Sequence, residues 1–198
     1  MTSAIVLAAG ASTRMGRSKA LLRAGDRTFI RMILDTLHDA GLEDVVVVVR
    51  QGQDAVVAEV AASGFGRAVV NPLADEGQLS SLIAGLDGID RVGVDAALVT
   101  LVDVPLIQPA TVRLLLARAR TATSPIVRAV HGGRHGHPVI FERQLFDALR
   151  RADPAVGAKA VVRACAVEDV QVDDPGVVED VDTPEDYARL FPENPGRC

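Results

Sequence analysis

The chain has few of the residues that build disulfide-rich or metal-stapled folds. Its 198 residues include two cysteines and no tryptophan, and aromatic residues make up 3%. The cysteines form no CxxC pair, which excludes a zinc ribbon and a disulfide framework. No apolar run approaches the roughly 20 residues of a membrane-spanning helix, and no basic leader precedes the first apolar run. We therefore expect a cytoplasmic protein without a signal peptide or a membrane partner.

The chain also lacks a positive net charge. Its formal net charge is −5, whereas proteins that bind the backbone of nucleic acids usually carry a basic surplus. Nucleic acid is therefore not the expected partner, although a local basic pocket for a small anion stays open. Apolar residues make up 48% and charged residues 24%, which is the ordinary balance of a globular protein.

Up to about residue 124, short apolar runs alternate with amphipathic stretches. The five valines from Val45 to Val49 are typical of a central parallel strand that is buried on both faces. The alternation of strands and helices predicts a three-layer α/β/α sandwich with a mostly parallel sheet. The predicted strands cover 4–9, 45–49, 68–70 and 96–102, and the predicted helices cover 29–40, 55–62, 79–86 and 110–119.

The pattern changes after residue 124. Two short strands around a turn at 132–137 predict a hairpin that lies over the rim of the sheet. We expect one domain over residues 1–191, with halves at about 1–124 and 125–191, and a loose tail at 192–198. The predicted strands of the second half cover 125–130, 138–141, 167–172 and 177–181, and the helices cover 142–150, 156–164 and 184–190.

The segment from Leu7 to Lys19, LAAGASTRMGRSK, carries the strongest chemical signal. A strand ends there in small residues, which let the backbone bend and turn its N–H groups toward an anion. Arg14 can fork two phosphate oxygens and Lys19 supplies a point charge, as a triphosphate requires. The alternative is an ordinary strand-to-helix turn with two solvated basic residues. The segment matches neither the P-loop pattern, because Arg17 follows Gly16, nor the dinucleotide pattern GxGxxG.

Five segments together resemble the molybdenum cofactor nucleotidyltransferases, within the wider sugar-nucleotide-transferase-like superfamily. They are most similar to the cytidylyltransferase branch. The resemblance implies a Rossmann-like nucleotide-diphospho-sugar transferase fold, with a nucleotide-binding first half and an acceptor-binding second half. The segments are LAAGASTRMGRSK at 7–19, NP at 71–72 with GQLSSL at 77–82, DVPL at 103–106, GHPVIF at 136–141 and DVDTPEDY at 180–187.

The resemblance implies a nucleotide site in the first half. The segment at 77–82 would open a helix, and helix N-termini bind anions. Simple N-capping is the alternative role of Ser80 and Ser81. Arg14, Lys19 and Asp103 are the expected catalytic residues. The implied nucleotide-binding residues are Leu7, Ala8, Ala9, Gly10, Arg14, Lys19, Asn71, Gly77, Ser80 and Ser81.

A Mg²⁺ site is expected near Asp103, which directly follows the apolar run 96–102. A carboxylate at such a strand end is costly unless it faces a cation or water. The resemblance implies that Asp103 and Asp182 bind the metal, which prefers one or two carboxylates with phosphate oxygens and waters. Asp180 could replace Asp182, because alternate residues of a strand share a face. Capping of the helix that follows Thr183 is the alternative role of Asp182.

The turn at 132–137 is expected to close over the second substrate, with arginine meeting its phosphate. A zinc site at His135 and His137 lacks further ligands at suitable spacing. The stretch ADPAVGAK at 152–159 departs from the GDxGAR segment of the family, because the first glycine is missing and Lys159 stands for arginine. The implied acceptor-binding residues are Arg128, Gly136, His137 and Pro138, with Arg134 as a further phosphate contact.

The implied reaction is attack of an acceptor phosphate on the α-phosphorus of a nucleoside triphosphate, which releases pyrophosphate. Ala8-Ala9-Gly10 is similar to the cytidylyl form of the loop, which favours CTP. The implied acceptor is the phosphorylated pterin of the molybdenum cofactor, with a molybdoenzyme as a possible client. Two alternatives stay open, a small NAD(P)H-dependent oxidoreductase on the same fold and a non-catalytic carrier or insertion chaperone for the cofactor.

Overall fold

A seven-stranded mixed sheet forms the centre of the computed structural model, which describes residues 1–11 and 18–192. The sheet order is β5-β4-β1-β6-β8-β7-β9, and β2 and β3 form a separate small hairpin. The described strands are β1 (Thr2–Leu7), β2 (Arg23–Ala24), β3 (Arg27–Thr28), β4 (Val45–Arg50), β5 (Arg67–Asn71), β6 (Ala96–Leu101), β7 (Ile126–His131), β8 (Arg134–Glu142) and β9 (Val167–Gln171).

The sheet is parallel on one side and mixed on the other. Strands β5, β4, β1 and β6 run parallel, β8 pairs antiparallel with β6 and β7, and β9 runs parallel to β7. Strands β7 and β8 form the hairpin that was predicted for residues 125–141, but its predicted place over the rim of the sheet is wrong. Val139 and Phe141 pack into one core layer and Ile140 into the other, so both faces of β8 are buried within the sheet.

Helices cover both faces of this sheet, which confirms the three-layer α/β/α sandwich. Helices α1, α2 and α4 pack on one face and α3, α5 and α6 on the other. Val45, Val47 and Val49 enter the first core layer, and Val46 and Val48 the second. The helices are α1 (Phe29–Asp39), α2 (Asp54–Ala62), α3 (Gln78–Ile89), α4 (Pro109–Ala119), α5 (Phe146–Arg150), α6 (Lys159–Ala164) and α7 (Pro184–Leu190).

The strand predicted at 177–181 is absent. A 3-10 helix covers Pro175–Val177 instead. The buried carboxylate of Asp174 accepts hydrogen bonds from the backbone of Gly176 at 3.1 Å and of Gln108 at 2.9 Å. Such side-chain bonds offer the backbone an alternative to a sheet ladder. Asp180 and Asp182 therefore do not share the face of a strand.

The described helices are all shorter or more polar than a membrane crossing requires. Within residues 1–11 and 18–192, no helix is long and apolar enough to span a bilayer.

Candidate active site

Three charged side chains meet at the carboxyl edge of the parallel strands. The Lys19 Nζ lies 3.1 Å from Asp103 Oδ2 and 2.5 Å from Asp182 Oδ1. These residues are 84 and 163 positions apart from Lys19 in sequence. The lysine side chain is 13% exposed, and the Asp103 side chain is 21% exposed. The resemblance named all three residues, and the structure brings them into one ionic cluster.

Each member of this cluster is positioned by a different element. Asp103 follows the end of β6, and Lys19 opens a 3-10 helix over Lys19–Leu21. The backbone N–H of Val181 donates to the carbonyl of Asp103 at 2.8 Å, which ties the segment bearing Asp182 to the sheet. The sequence thus joins the end of a buried strand to a loop near the end of the chain.

A small aromatic core holds the last helix beside this cluster. Leu22, Phe29, Val181, Tyr187 and Phe191 pack together, and the rings of Phe29 and Phe191 are 5.2 Å apart. The Tyr187 hydroxyl also donates to the backbone carbonyl of residue 23. Because α7 is anchored in this way, Asp182 is held against Lys19 by packing as well as by charge.

The residues of the cluster fit a divalent cation. Asp103 Oδ1 is buried and accepts no hydrogen bond from any residue within 1–11 or 18–192. A buried carboxylate oxygen without a donor is costly unless a cation faces it. The described part of the chain holds no group of three or more His, Cys, Asp or Glu side chains suited to a metal. A pair of carboxylates is still enough for Mg²⁺, which takes its other ligands from phosphates and waters.

The ammonium of Lys19 is stabilised in its charged form. Burial alone would lower the pKa of Lys19, but the hydrogen bonds and negative charges of Asp182 and Asp103 together raise it above its usual value. Lys19 is therefore a fixed positive charge at neutral pH. Arg14, the other expected phosphate ligand of the loop, lies outside the described residues.

A cavity of about 460 Å³ opens in front of this cluster. Its walls include the loop after β1 and the start of α3, whose first residue is preceded by Gly77 with a φ of 102°. Only glycine adopts that conformation readily. Of the expected nucleotide-binding residues, those that line the cavity are Leu7, Ala8, Ala9, Gly10, Lys19, Gly77 and Ser81.

Asn71 and Ser80 do not line the cavity, but they hold in place the segment that does. The Asn71 side-chain amide donates to Ser80 Oγ at 2.9 Å and to Ser81 Oγ at 3.1 Å. The Asn71 Oδ1 accepts from the backbone of Leu73 at 2.9 Å. Both amide hydrogens of Asn71 are therefore used within the protein. The asparagine joins the end of β5 to the first turn of α3 and so positions Ser81.

Sequence reasoning missed Arg50, which lines the same cavity at the end of β4. Its Nη1 lies 2.7 Å from Asp75 Oδ1, and its Nε donates to the carbonyl of Ala9 at 3.4 Å. This side chain links the loop after β1 to the loop before α3. Its position directly after the five valines could have identified it, because ligands of such sheets bind outside the carboxyl ends of the strands.

A second cavity, of about 750 Å³, adjoins the first and shares Leu7, Gln78 and Leu101 with it. Apolar side chains of α3, β6 and β8 form its walls, among them Leu79, Val99 and Phe141. Arg128, Gly136 and His137 of the expected acceptor residues lie here, together with the basic residues Lys159 and Arg163 of α6. The cavity therefore suits a ligand with an apolar body and an anionic group.

Arg128 is not an open phosphate ligand, because it is paired within the protein. Its Nε donates to Asp169 Oδ1 at 2.9 Å and its Nη2 to Oδ2 at 3.2 Å. Arg134 donates to the carbonyl of Val178 at 3.1 Å. Lys159 and Arg163 form no ion pair with the residues described, so they are the better candidates for an anion in this cavity.

Gly136 and Pro138 have packing roles. A Cβ on Gly136 would lie 2.1 Å from the carbonyl oxygen of Val177, so only glycine allows the two segments to approach. Pro138 follows a cis peptide bond and lies with Ile33 and Leu37 on the opposite face of the sheet. The placement of Pro138 in the acceptor site is therefore wrong, since successive residues of a strand point to opposite faces.

Among the expected acceptor-binding residues, His137 places a neutral polar side chain in the second cavity. Burial lowers its pKa, against the opposing effects of the Val99 carbonyl and of the charges on Asp103 and Asp180. A neutral imidazole can both donate and accept a hydrogen bond.

Asp180 is exposed and does not line the first cavity, whereas Asp182 does.

The fold and the site define a class. A cavity of about 460 Å³ lies at the carboxyl edge of a Rossmann-like sheet, and Lys19 lies between two aspartates in its lining. The sequence profile of the MobA-like NTP transferase domain matches residues 4–170. The chain belongs to this family, which confirms the family named from the sequence motifs.

Three similar proteins carry different names. The chain is 32% identical to nicotine blue oxidoreductase of Paenarthrobacter nicotinovorans, over 94% of this chain and 95% of that protein. It is 33% identical to a probable molybdenum cofactor guanylyltransferase of Opitutus terrae, over 64% of this chain and 60% of that protein. The crystal structure of Rv0371c from Mycobacterium tuberculosis H37Rv has a TM-score of 0.81 at 29% identity, over 96% of this chain and 97% of that one. Rv0371c has also been solved in complex with manganese.

Proposed function

We propose that this protein transfers CMP from CTP to a phosphorylated acceptor, the pterin of the molybdenum cofactor, and releases pyrophosphate in a Mg²⁺-dependent reaction. The observation that carries the proposal is the cluster of Lys19, Asp103 and Asp182 at the nucleotide-sized cavity. The buried Asp103 Oδ1, which has no donor among the described residues, supports a cation at this position. A manganese complex of a relative at 28% identity is consistent with it.

Each residue of the cluster has a place in the proposed reaction. A phosphate oxygen of the acceptor forms a new bond to the α-phosphorus, and the bond to the bridging oxygen of the leaving pyrophosphate breaks. Asp103 and Asp182 would hold Mg²⁺, which when bound supplies charge neutralisation for the phosphates. Lys19 stabilises the negative charge of the phosphates in the transition state. The acceptor phosphate is already ionised at neutral pH, so the reaction needs no general base.

The two cavities fit the two substrates of such a transfer. The first holds the loop Ala8-Ala9-Gly10, whose form favours CTP, and the second offers apolar walls with Lys159 and Arg163 for a phosphorylated ring. Because the cavities share Leu7 and Leu101, the two substrates would meet beside Asp103. A molybdoenzyme would then be the client that receives the product.

A second candidate is a small NAD(P)H-dependent oxidoreductase, which the similarity to nicotine blue oxidoreductase over nearly the whole chain supports. The apolar second cavity could take a flat substrate for such a reaction. This candidate leaves the carboxylate pair without a role. The carrier or insertion chaperone stays a third alternative, which tight pterin binding without pyrophosphate release would favour.

The direct test incubates the purified protein with Mg²⁺ and each of the four common nucleoside triphosphates, with and without molybdenum-loaded pterin, and measures pyrophosphate. The proposal predicts release with CTP and the pterin together. Release with GTP instead would show that the transferred group is GMP rather than CMP, in line with the name of the Opitutus terrae relative. Turnover of NAD(P)H without a metal or triphosphate, and no pyrophosphate in any mixture, would favour the oxidoreductase.

A further inference from the structure

Lys19 lies between the two aspartates that would hold a metal ion. Its Nζ is 3.1 Å from Asp103 Oδ2 and 2.5 Å from Asp182 Oδ1. Mg²⁺ lies about 2.1 Å from its oxygen ligands, so an ion bound to that oxygen of Asp182 would stand within about 5 Å of the ammonium. A metal ion and the lysine therefore compete for the same two carboxylates.

The competition is strong because the cluster is shielded from water. The Lys19 side chain is 13% exposed, and charges in such a site interact more strongly than in bulk water. The ammonium must move or be compensated before a divalent cation binds both carboxylates.

A triphosphate can supply that compensation. It carries several negative charges, and it would enter the cavity lined by Lys19, Asp103 and Asp182. The ammonium could then exchange its carboxylate partners for phosphate oxygens, to which lysine binds as a point charge. The metal would take the carboxylates that the lysine leaves.

We propose that Lys19 is a cation latch, which excludes free divalent metal from Asp103 and Asp182 and yields only when a metal–triphosphate complex enters. The latch rests on the proposed function for the identity of the nucleotide. It predicts weak binding of metal alone, and binding of metal and triphosphate that is strongly synergistic. Lys19 is thus a positioning residue for the metal as well as a ligand of the phosphates.

The test is a titration of the full chain with Mn²⁺ alone, followed by electron paramagnetic resonance of the free ion. Lys19→Met removes the ammonium and should tighten Mn²⁺ binding by about tenfold or more. Arg31→Met is the matched control, because Arg31 pairs with Asp35 on α1 and is in the lining of neither cavity. Its Mn²⁺ affinity should stay within about threefold of the wild type. Unchanged or weaker Mn²⁺ binding by Lys19→Met would overturn the latch.

A second variant guards against misfolding of the first. Lys19→Gln keeps a donor to the carboxylates and removes only the charge, so it should also tighten Mn²⁺ binding. If neither folded variant binds Mn²⁺ more tightly than the wild type, the proposal is contradicted. Calorimetric titration with CTP at saturating Mn²⁺ separates the two proposals. Tighter Mn²⁺ binding by the variants with no triphosphate binding by the wild type would support the exclusion of metal by Lys19, and would reject both its release by a triphosphate and the transferase. Triphosphate binding without the gain in Mn²⁺ affinity would reject the latch alone.

Discussion

Two carboxylates at opposite ends of the sheet have opposite surroundings. Asp44 precedes β4 at the amino end and is 6% exposed. Its two oxygens accept from Ser3 and pair with Arg67 at 2.5 Å and Arg91 at 2.9 Å. Asp103 follows β6 at the carboxyl end, and its Oδ1 has no donor among the residues within 1–11 and 18–192. Both oxygens of Asp44 thus have partners within the protein, whereas one oxygen of Asp103 has none among the described residues.

The difference separates a residue that stabilises the fold from one that is available for a ligand. Asp174 belongs with Asp44, because its oxygens accept from Gln108, Thr111 and Gly176. Asp103 keeps a buried oxygen that only a cation or water would satisfy. Substitution at Asp44 or Asp174 should therefore reduce stability, and substitution at Asp103 should reduce activity.

The largest effect is expected for Asp103→Asn. The amide keeps the size of the side chain and removes the charge that would hold the cation, so pyrophosphate release should fall about 10³-fold. The free energy of unfolding should change by less than about 1 kcal/mol, because Lys19 keeps Asp182 as a partner. Pyrophosphate assays and urea denaturation check the two parts. A variant that unfolds readily but retains full turnover when folded would show that Asp103 stabilises the fold and does not serve catalysis.

Asp174→Ala should lower stability by about 3 kcal/mol, since it leaves buried donors of Gln108, Thr111 and Gly176 without an acceptor. The substituted position lies away from both cavities. The folded variant should therefore keep its affinity for CTP, which calorimetry measures beside the urea midpoint. A stability equal to that of the wild type would contradict the structural role.

Asp44→Asn should cost about 2 kcal/mol of stability at pH 7. Burial alone raises the pKa of Asp44, but the hydrogen bonds of Ser3, Arg67 and Arg91 and the charge of Arg67 lower it overall. A lowered folded-state pKa contributes stability above the unfolded-state pKa, and this is lost as the pH falls through the folded-state pKa. Denaturation at several pH values should therefore show the difference from wild type shrinking below about pH 4. A constant difference would exclude this ionic origin.

The smallest effect is expected at Thr183, which stabilises a helix and also lies next to Asp182 of the ionic cluster. Thr183 and Asp186 form a capping box at the start of α7, directly after Asp182. Thr183→Ala should destabilise the protein by about 1 kcal/mol. Turnover should fall only a few-fold, because the aromatic core around Tyr187 still holds α7 in place. A loss of turnover as large as that of Asp103→Asn would indicate that the cap itself positions Asp182.

Local patterns predicted most of the fold. The valines of β4 and the periodicity of α1 identified a buried strand and an amphipathic helix correctly. The absent strand at 177–181 could not be foreseen, because it depends on Asp174 contacting Gln108 from a distant part of the chain. The integration of β8 into the sheet likewise depends on its pairing with β6.

The sequence identified the three residues of the ionic cluster, Lys19, Asp103 and Asp182, but not the contacts between them. Loops after parallel strands share one edge of the sheet, which placed Lys19 and Asp103 together, and the resemblance added Asp182. That Lys19 pairs with both aspartates is a product of tertiary packing across most of the chain. The pairing of Arg128 with Asp169 also required the structure, because it depends on the register between β7 and β9.

The most direct test of a metal–nucleotide site at Asp103 is calorimetric titration of CTP in Mg²⁺ into the wild type, Asp103→Asn and Asp44→Asn, each shown to be folded. We expect the wild type and Asp44→Asn to bind with similar affinity, and Asp103→Asn to bind at least about tenfold more weakly. Equal binding by all three proteins, or no binding by the wild type, would contradict the assignment of the carboxyl edge as a metal–nucleotide site.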